Sequence, residues 1–179
     1  MKDGERSATA LVGSRERVFL MQFWARGVCM ARGNTDDLHA VAGAMRTWQS
    51  GARVRELGSE WPFVTFSPLA AAHERGEAAE CTWRRYHENA RRAPQLLRLH
   101  SFITVAIHEP RLRQLMPFTS HWNLGFSRTV GYPYSGDCPW VEPLDGDRYR
   151  VTAADRRREL GTADAARSVA LVLAELPDR

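Results

Sequence analysis

The stretch W-V-E-P-L-D-G-D-R-Y-R-V-T, residues 140–152, decides the fold class. Asp145-Gly146 separates two segments, 140–144 and 148–152, that are rich in aromatic and β-branched residues. Asp-Gly between such segments is the strongest short-range signal for a β-hairpin. A third strand is predicted over 157–160, and apolar residues at helical spacing predict a last helix over 163–176. The C-terminal part is therefore predicted to be a three-stranded meander followed by a helix.

Working outward from this meander, the chain is predicted to contain a second hairpin near its start and several helices between the two. The hairpin pairs 17–24 with 28–32 across Ala25-Arg26-Gly27. The first intervening helix is predicted to begin after a Thr35 cap and to end at Gly51. Further helices are predicted over 52–57, 67–76, 77–89, 94–108 and 111–116. Extended segments are predicted at 61–66 and 121–129.

This order does not alternate strands with helices, so a doubly wound parallel sheet is disfavoured. The predicted class is α+β, with a mainly antiparallel sheet covered by several helices. Residues 1–16 are predicted to be a disordered N-terminus and 17–179 a single domain, since 179 residues suffice for one sizeable core.

Composition restricts the cellular setting. The longest early apolar run, 18–25, is interrupted by Gln22 and is too short for a signal peptide or a membrane span. Cys29, Cys81 and Cys138 are odd in number and widely separated, which favours reduced thiols over a disulfide framework. The predictions are a cytoplasmic location and no membrane partner.

Charge and motifs restrict the function classes. The net charge is +4, but the basic clusters 84–85, 91–92 and 156–158 are short and mixed with acidic residues, so nucleic acid is not predicted as a partner. The sequence has no Gly-rich phosphate loop, G-x-S-x-G elbow, H-E-x-x-H or paired C-x-x-C. Neither a cofactor nor a metal site is predicted.

The densest group of polar and aromatic residues lies in 118–140, and this segment is the predicted site region. His121 and Asp137 are the candidate general bases there, and Tyr132 and Tyr134 the candidate proton donors. The predicted substrate-binding residues are His100, Arg111, Ser127, Arg128 and Trp140. The alternative is a stiff loop whose aromatic rings seal the sheet edge and whose Asp137 satisfies local backbone amides.

Three stretches carry a family resemblance: G-N-T-D-D-L-H-A-V-A at 33–42, L-L-R-L-H-S-F at 96–102 and F-S-R-T-V-G-Y-P-Y-S-G-D-C-P-W at 126–140. The sequence resembles small actinobacterial, Streptomyces-type proteins of unknown function that are labelled natural-product biosynthesis proteins. The resemblance implies a setting in a secondary-metabolite gene cluster and no particular chemistry.

Two functions from different classes follow. The first is a small-molecule-handling protein of natural-product biosynthesis, either a cofactor-independent enzyme or an accessory protein that binds a small-molecule or peptide intermediate. The second is a protein-interaction module without catalysis, such as a partner or regulator of a biosynthetic enzyme or an immunity-like protein. Pairing of Arg128 and Asp137 with local structure only, without a cavity beside them, would count against the first, and a contiguous exposed apolar patch without a pocket would favour the second.

Overall fold

The computed structural model describes residues 6–176, which contain nine strands and eight helices. Every strand pairing is antiparallel, and the strands form one sheet of four and one of five. The α+β prediction is therefore confirmed. The chain divides after Gly76 into two compact units, and each is described by itself.

Unit 1 contains the four-stranded sheet in the order β1 (Arg6–Val12), β2 (Phe19–Ala25), β3 (Val28–Thr35), β4 (Val64–Phe66). Its helices are α1 (Leu38–Gln49), α2 (Val54–Glu60) and α3 (Pro68–Arg75). Their apolar faces pack on the sheet around the buried rings of Phe23 and Trp48, which meet edge to face with centroids 6.0 Å apart. The predicted hairpin is the central β2–β3 pair of this sheet.

Local capping chemistry sets the ends of the helices in unit 1. The Ser67 hydroxyl accepts a hydrogen bond from the Ala70 amide, and Gly76 ends α3 with a φ of 77°, so the predicted boundaries of this helix are confirmed. The N-cap of α1 is Asp37, whose carboxylate accepts from the His39 amide. The predicted Thr35 cap was therefore two residues early.

The first strand corrects the prediction of a disordered segment over 1–16. Residues 6–12 pair along their whole length with β2. The Arg6 guanidinium lies 4.3 Å from the Trp48 ring centroid and donates to the carbonyls of Trp48 and Ala52. These contacts join residues more than 40 positions apart, so local sequence does not reveal them. Residues 1–5 lie outside the described part of the chain.

Unit 2 begins with four helices and ends with the five-stranded sheet and a last helix. The helices are α4 (Ala78–Asn89), α5 (Pro94–Leu97), α6 (His100–Ala106), α7 (Pro110–Arg113) and α8 (Ala165–Glu175). The strands, in sheet order, are β5 (Met116–Ser120), β6 (Asn123–Ser127), β7 (Trp140–Pro143), β8 (Tyr149–Thr152) and β9 (Glu159–Ala163). None of the helices within 6–176 has the length and apolar content needed to span a bilayer.

The C-terminal meander is confirmed as β7, β8 and β9, and its Asp145-Gly146 turn joins β7 to β8. Two neighbouring predictions hold only in part. The helix predicted over 94–108 is interrupted at Arg98-Leu99, where the Leu99 amide bonds to the carbonyl of Leu96 and tightens the turn. The strand predicted over 121–129 is confirmed at its centre as β6, but its hairpin partner β5 was not predicted; Pro117 fits into β5 because β5 is an edge strand.

The two faces of the five-stranded sheet differ in what they contact. Leu124, Val141 and Val151 are cross-strand neighbours on the face that enters the hydrophobic core, with α4 and α8 packed nearby. Strand residues alternate between faces, so the adjacent row, Phe118, Gly125, Trp140 and Thr152, lies on the opposite face. This outer row positions the candidate site.

Candidate functional site

The loop between β6 and β7, residues 128–139, is organised around the buried hydroxyl of Ser127. The Ser127 Oγ accepts hydrogen bonds from the backbone amides of Thr129, at 3.0 Å, and Ser135, at 2.9 Å. It also donates to the Thr129 carbonyl at 2.8 Å. The Thr129 hydroxyl in turn donates to the Pro133 carbonyl, at 2.9 Å, and the Tyr132-Pro133 peptide bond is cis. One side chain therefore fixes both ends of the first half of the loop.

Arg128 and Asp137 meet across this loop. The Arg128 Nε lies 2.7 Å from Asp137 Oδ2, and the Arg128 amide donates to the Ser135 hydroxyl at 2.9 Å. Hydrogen bonds with the Ser135 hydroxyl and, to a smaller extent, with the Arg128 guanidinium hold the pKa of Asp137 below its ordinary value. The Asp137 carboxylate is thus held in its ionised, hydrogen-bonded form, which makes it a weaker base than a free aspartate.

Cys138 follows directly and is buried. Its Sγ lies 3.6 Å from Asp137 Oδ1. Burial, and then the charge of the neighbouring Asp137, raise the pKa of the thiol to about 11. A thiol with this pKa is almost wholly protonated at neutral pH, whereas a nucleophilic cysteine needs a lowered pKa, so Cys138 is poorly suited to act as a nucleophile.

The outer row of the sheet forms an aromatic stack. The ring of Tyr134 stacks on Phe118 with centroids 4.2 Å apart, and Phe118 meets Trp140 edge to face at 5.2 Å. The guanidinium carbon of Arg156 lies 3.4 Å from the Trp140 ring centroid. Gly125 lies between the Phe118 and Trp140 strands, and a Cβ there would come within 2.7 Å of the Phe118 ring. The two rings therefore close over the space that Gly125 leaves.

The turn between β5 and β6 consists of His121 and Trp122, whose φ angles are 50° and 69°. Positive φ at both central residues is the conformation of a type I′ turn, which favours Asn and Gly and costs energy for larger side chains. The Trp122 ring is 60% exposed. Because the Ser120–Asn123 pair is two residues from the Phe118–Gly125 pair, it lies about 7 Å farther along the strands.

These rings define what we call the aromatic face: Phe118, Tyr134 and Trp140 on the sheet, together with Trp122 on the turn and Tyr132 on the loop. Tyr132 is 79% exposed and is two residues before Tyr134 in the loop.

The structure brings only some of the predicted site residues together. Ser127, Arg128 and Asp137 meet in the loop, while Tyr134 and Trp140 meet Phe118 on the aromatic face. The predicted base His121 is exposed and contacts the Ser120 hydroxyl at 3.2 Å. Tyr132 is on the loop surface, so the candidate acids and bases do not converge on one point.

His100 and Arg111, predicted as further substrate-binding residues, have structural partners elsewhere in unit 2. His100 accepts a hydrogen bond from Arg91 Nε at 3.1 Å at the start of α6. Arg111 donates to the carbonyls of Leu173 and Leu176, where its charge complements the C-terminus of α8. Both residues therefore have structural roles at helix ends.

The predicted site region 118–140 contains Phe118 and Gly125, but sequence reasoning gave neither a role, and it missed Arg156. The signal for the first two was the hairpin register, which places them opposite each other, but the predicted strand began too late to reveal it. Among residues 6–176, no three His, Cys, Asp or Glu side chains are grouped so as to hold a metal ion.

A comparison with known families matches residues 77–179, more than half of the 179-residue chain, to a family of unknown function, DUF6193. The chain belongs to this family. The DUF6193 match coincides with unit 2, so every residue of the loop and of the aromatic face lies within it. No curated protein and no solved structure matches the chain.

Proposed function

We propose that this DUF6193 protein is a protein-interaction module that binds its partner through the aromatic face. One observation carries the proposal. The polar side chains of Ser127, Arg128, Thr129, Ser135 and Asp137 form hydrogen bonds within the loop, whereas Trp122 and Tyr132 are exposed residues.

The loop is suited to binding because it is ordered in advance. Ser127 satisfies backbone amides on both sides of the loop, and the Phe118–Tyr134 stack fixes one of its rings on the sheet. A surface that is already rigid loses less entropy when it binds. Tyrosine and tryptophan are also the residues most enriched among those that dominate binding energy at protein interfaces, together with arginine.

The charges beside the aromatic face favour a partner with an acidic rim. Arg156 lies over Trp140 at one end of the stack, and the exposed Arg157 follows it. The next residue, Arg158, pairs with Glu175. A complementary surface would present an apolar recess to Trp122 and Tyr132 and carboxylates toward Arg156 and Arg157.

The proposed setting is the cytosol of a cell that makes secondary metabolites, with a biosynthetic enzyme as the partner. The support for the setting is the resemblance of residues 33–42, 96–102 and 126–140 to natural-product biosynthesis proteins. Support for a reducing compartment comes from Cys29, Cys81 and Cys138, which are all free thiols.

The other function, small-molecule handling in the 118–140 region, has weaker support. It relied on Arg128 and Asp137 being available to a ligand, but each is the other's partner at 2.7 Å. Of its candidate acids and bases, His121 contacts the Ser120 hydroxyl and Tyr134 is stacked on Phe118.

Quantitative affinity purification from cells that naturally contain the protein tests the proposal. The baits are the wild-type chain, the double variant Trp122→Ala/Tyr132→Ala, and Leu97→Ala as a control for loss of an exposed apolar side chain from the same unit. We expect the wild type and the control to retain one partner that the double variant loses by tenfold or more, about 1.4 kcal/mol. Equal retention by all three baits, with matching circular dichroism spectra, would contradict the proposal.

A further inference from the structure

A concavity lies in unit 2, between α4 and the segment that joins α6 to α7. Its volume is about 330 Å³, and its walls are Glu80, Trp83, Arg84, His87, Ile107, His108 and Arg113. None of these residues belongs to the aromatic face. The volume is at the small end of the range for protein sites that take small molecules.

The pocket is built on rigid structure. Glu80, Trp83, Arg84 and His87 occupy positions i, i+3, i+4 and i+7 on α4, which places them on one helix face. The Trp83 indole N–H donates to the carbonyls of Leu112 and Leu115, at 3.0 and 3.1 Å, so the floor of the pocket is tied to the end of α7. The backbone of α4 that bears Glu80, Arg84 and His87 is therefore fixed relative to the end of α7.

The charges around this pocket are unequal. Glu80 is its single carboxylate, and it pairs with Arg113 at 3.2 Å. Within residues 6–176, the side chains of Arg84, His87 and His108 have neither a hydrogen-bond nor an ion-pair partner. One guanidinium and two imidazoles thus border the same concavity with their N–H groups available to a ligand.

We propose that this pocket binds a small anionic metabolite, whose phosphate or carboxylate group is held by Arg84, His87 and His108. Guanidinium and imidazole N–H groups are strong donors to such anions. The negative charge of the Glu80 carboxylate would repel an anionic ligand, and its ion pair with Arg113 keeps that guanidinium from the ligand. This inference does not depend on the proposed function, because it concerns different residues and a different class of ligand.

The test is a titration of the full chain with inorganic phosphate, and separately with succinate, followed by the ring C–H signals of its histidines in NMR spectra. Sodium chloride at matched ionic strength is the control titration. We expect saturable shifts at His87 and His108 but not at His39, His73, His100 or His121, with a dissociation constant in the millimolar range. The anion that binds more tightly distinguishes a phosphate from a carboxylate ligand.

Variants make the test specific, because two substitutions in the same pocket should act in opposite directions. Arg84→Ala should weaken binding of the tighter anion by about fivefold, whereas Glu80→Gln should strengthen it by removing the opposing charge. Arg92→Ala, which removes an exposed arginine outside the pocket, should change nothing. Absence of saturable shifts, equal shifts at all six histidines, or equal effects of Arg84→Ala and Arg92→Ala would overturn the proposal.

Discussion

At the scale of single residues, Ser127 has the largest structural role in the loop. We predict that Ser127→Ala lowers the free energy of unfolding by about 2 kcal/mol, because the Thr129 and Ser135 amides lose their acceptor. Ser120→Ala is the control, since within residues 6–176 the Ser120 hydroxyl forms a hydrogen bond only with the exposed His121 ring. Urea unfolding measures both, and equal effects would show that the loop does not depend on Ser127.

Gly125 is the residue that allows Phe118 and Trp140 to meet on the aromatic face. Gly125→Ala should destabilise the protein by about 1–3 kcal/mol, because the new methyl group would overlap both rings. Gly136→Ala is the matched control, because a Cβ at position 136 would have no atom within 4 Å. Thermal unfolding followed by circular dichroism compares the two, and a harmless Gly125→Ala would mean that the rings do not close over this position.

Cys138 gives a pH-dependent prediction. Its pKa is raised from an ordinary value of 9.0 to about 11, so the folded state binds the thiol proton more tightly than the unfolded state does. The stability contributed by the neutral thiol is present below pH 9.0 and is lost as the pH rises toward about 11. Urea unfolding at pH 8 and 10.5 should therefore show a smaller decrease for Cys138→Ala than for the wild type. An identical decrease would contradict this account.

Sequence reasoning located the residues of the loop but not what they do. The sequence allowed Asp137 to be either a general base or an acceptor for local backbone amides, and the path of the loop instead brings it to the Arg128 guanidinium. His100 and Arg111 were placed in the site because their residue types suit binding, but Arg91 and the carbonyls at the end of α8 engage them. Which helix ends meet depends on tertiary packing, which a local pattern does not contain.

At the scale of elements, the β5–β6 turn combines an unfavourable backbone with an exposed tryptophan. We predict that His121→Asn/Trp122→Gly raises the free energy of unfolding by about 1 kcal/mol, because Asn-Gly suits positive φ at both positions. The same variant should bind the partner more weakly, since it removes the Trp122 ring. Urea unfolding and affinity purification measure the two effects, and a variant without a gain in stability would contradict the strain assigned to this turn.

The elements that were predicted well are those with local signals. Ser67-Pro68 and Gly76 delimit α3, and Asp145-Gly146 marks the turn between β7 and β8, because capping and turn chemistry act over a few residues. The elements that were missed depend on distant partners. β1 is a strand because β2 pairs with it, and β5 accommodates Pro117 because it is at the edge of the sheet.

At the scale of the whole molecule, the DUF6193 match over 77–179 coincides with a unit that has its own core and sheet. The sequence predicted the α+β class correctly because the order of its elements does not alternate. It did not predict that the strands form two sheets, since the pattern of apolar residues is the same for strands in one sheet or in two. The aromatic face and the pocket between α4 and the α6–α7 segment both lie within the residues that match the family.

Site-specific photo-crosslinking tests the central claim, binding of a partner protein by the aromatic face, most directly. Benzoylphenylalanine replaces Tyr132 in one chain and the exposed Leu97 in a control chain, and each is irradiated in cells that naturally contain the protein. We predict one protein adduct of defined mass from position 132, its loss when Trp122→Ala is added, and none from position 97. Absence of an adduct at position 132, or the same adducts from both positions, would contradict the claim.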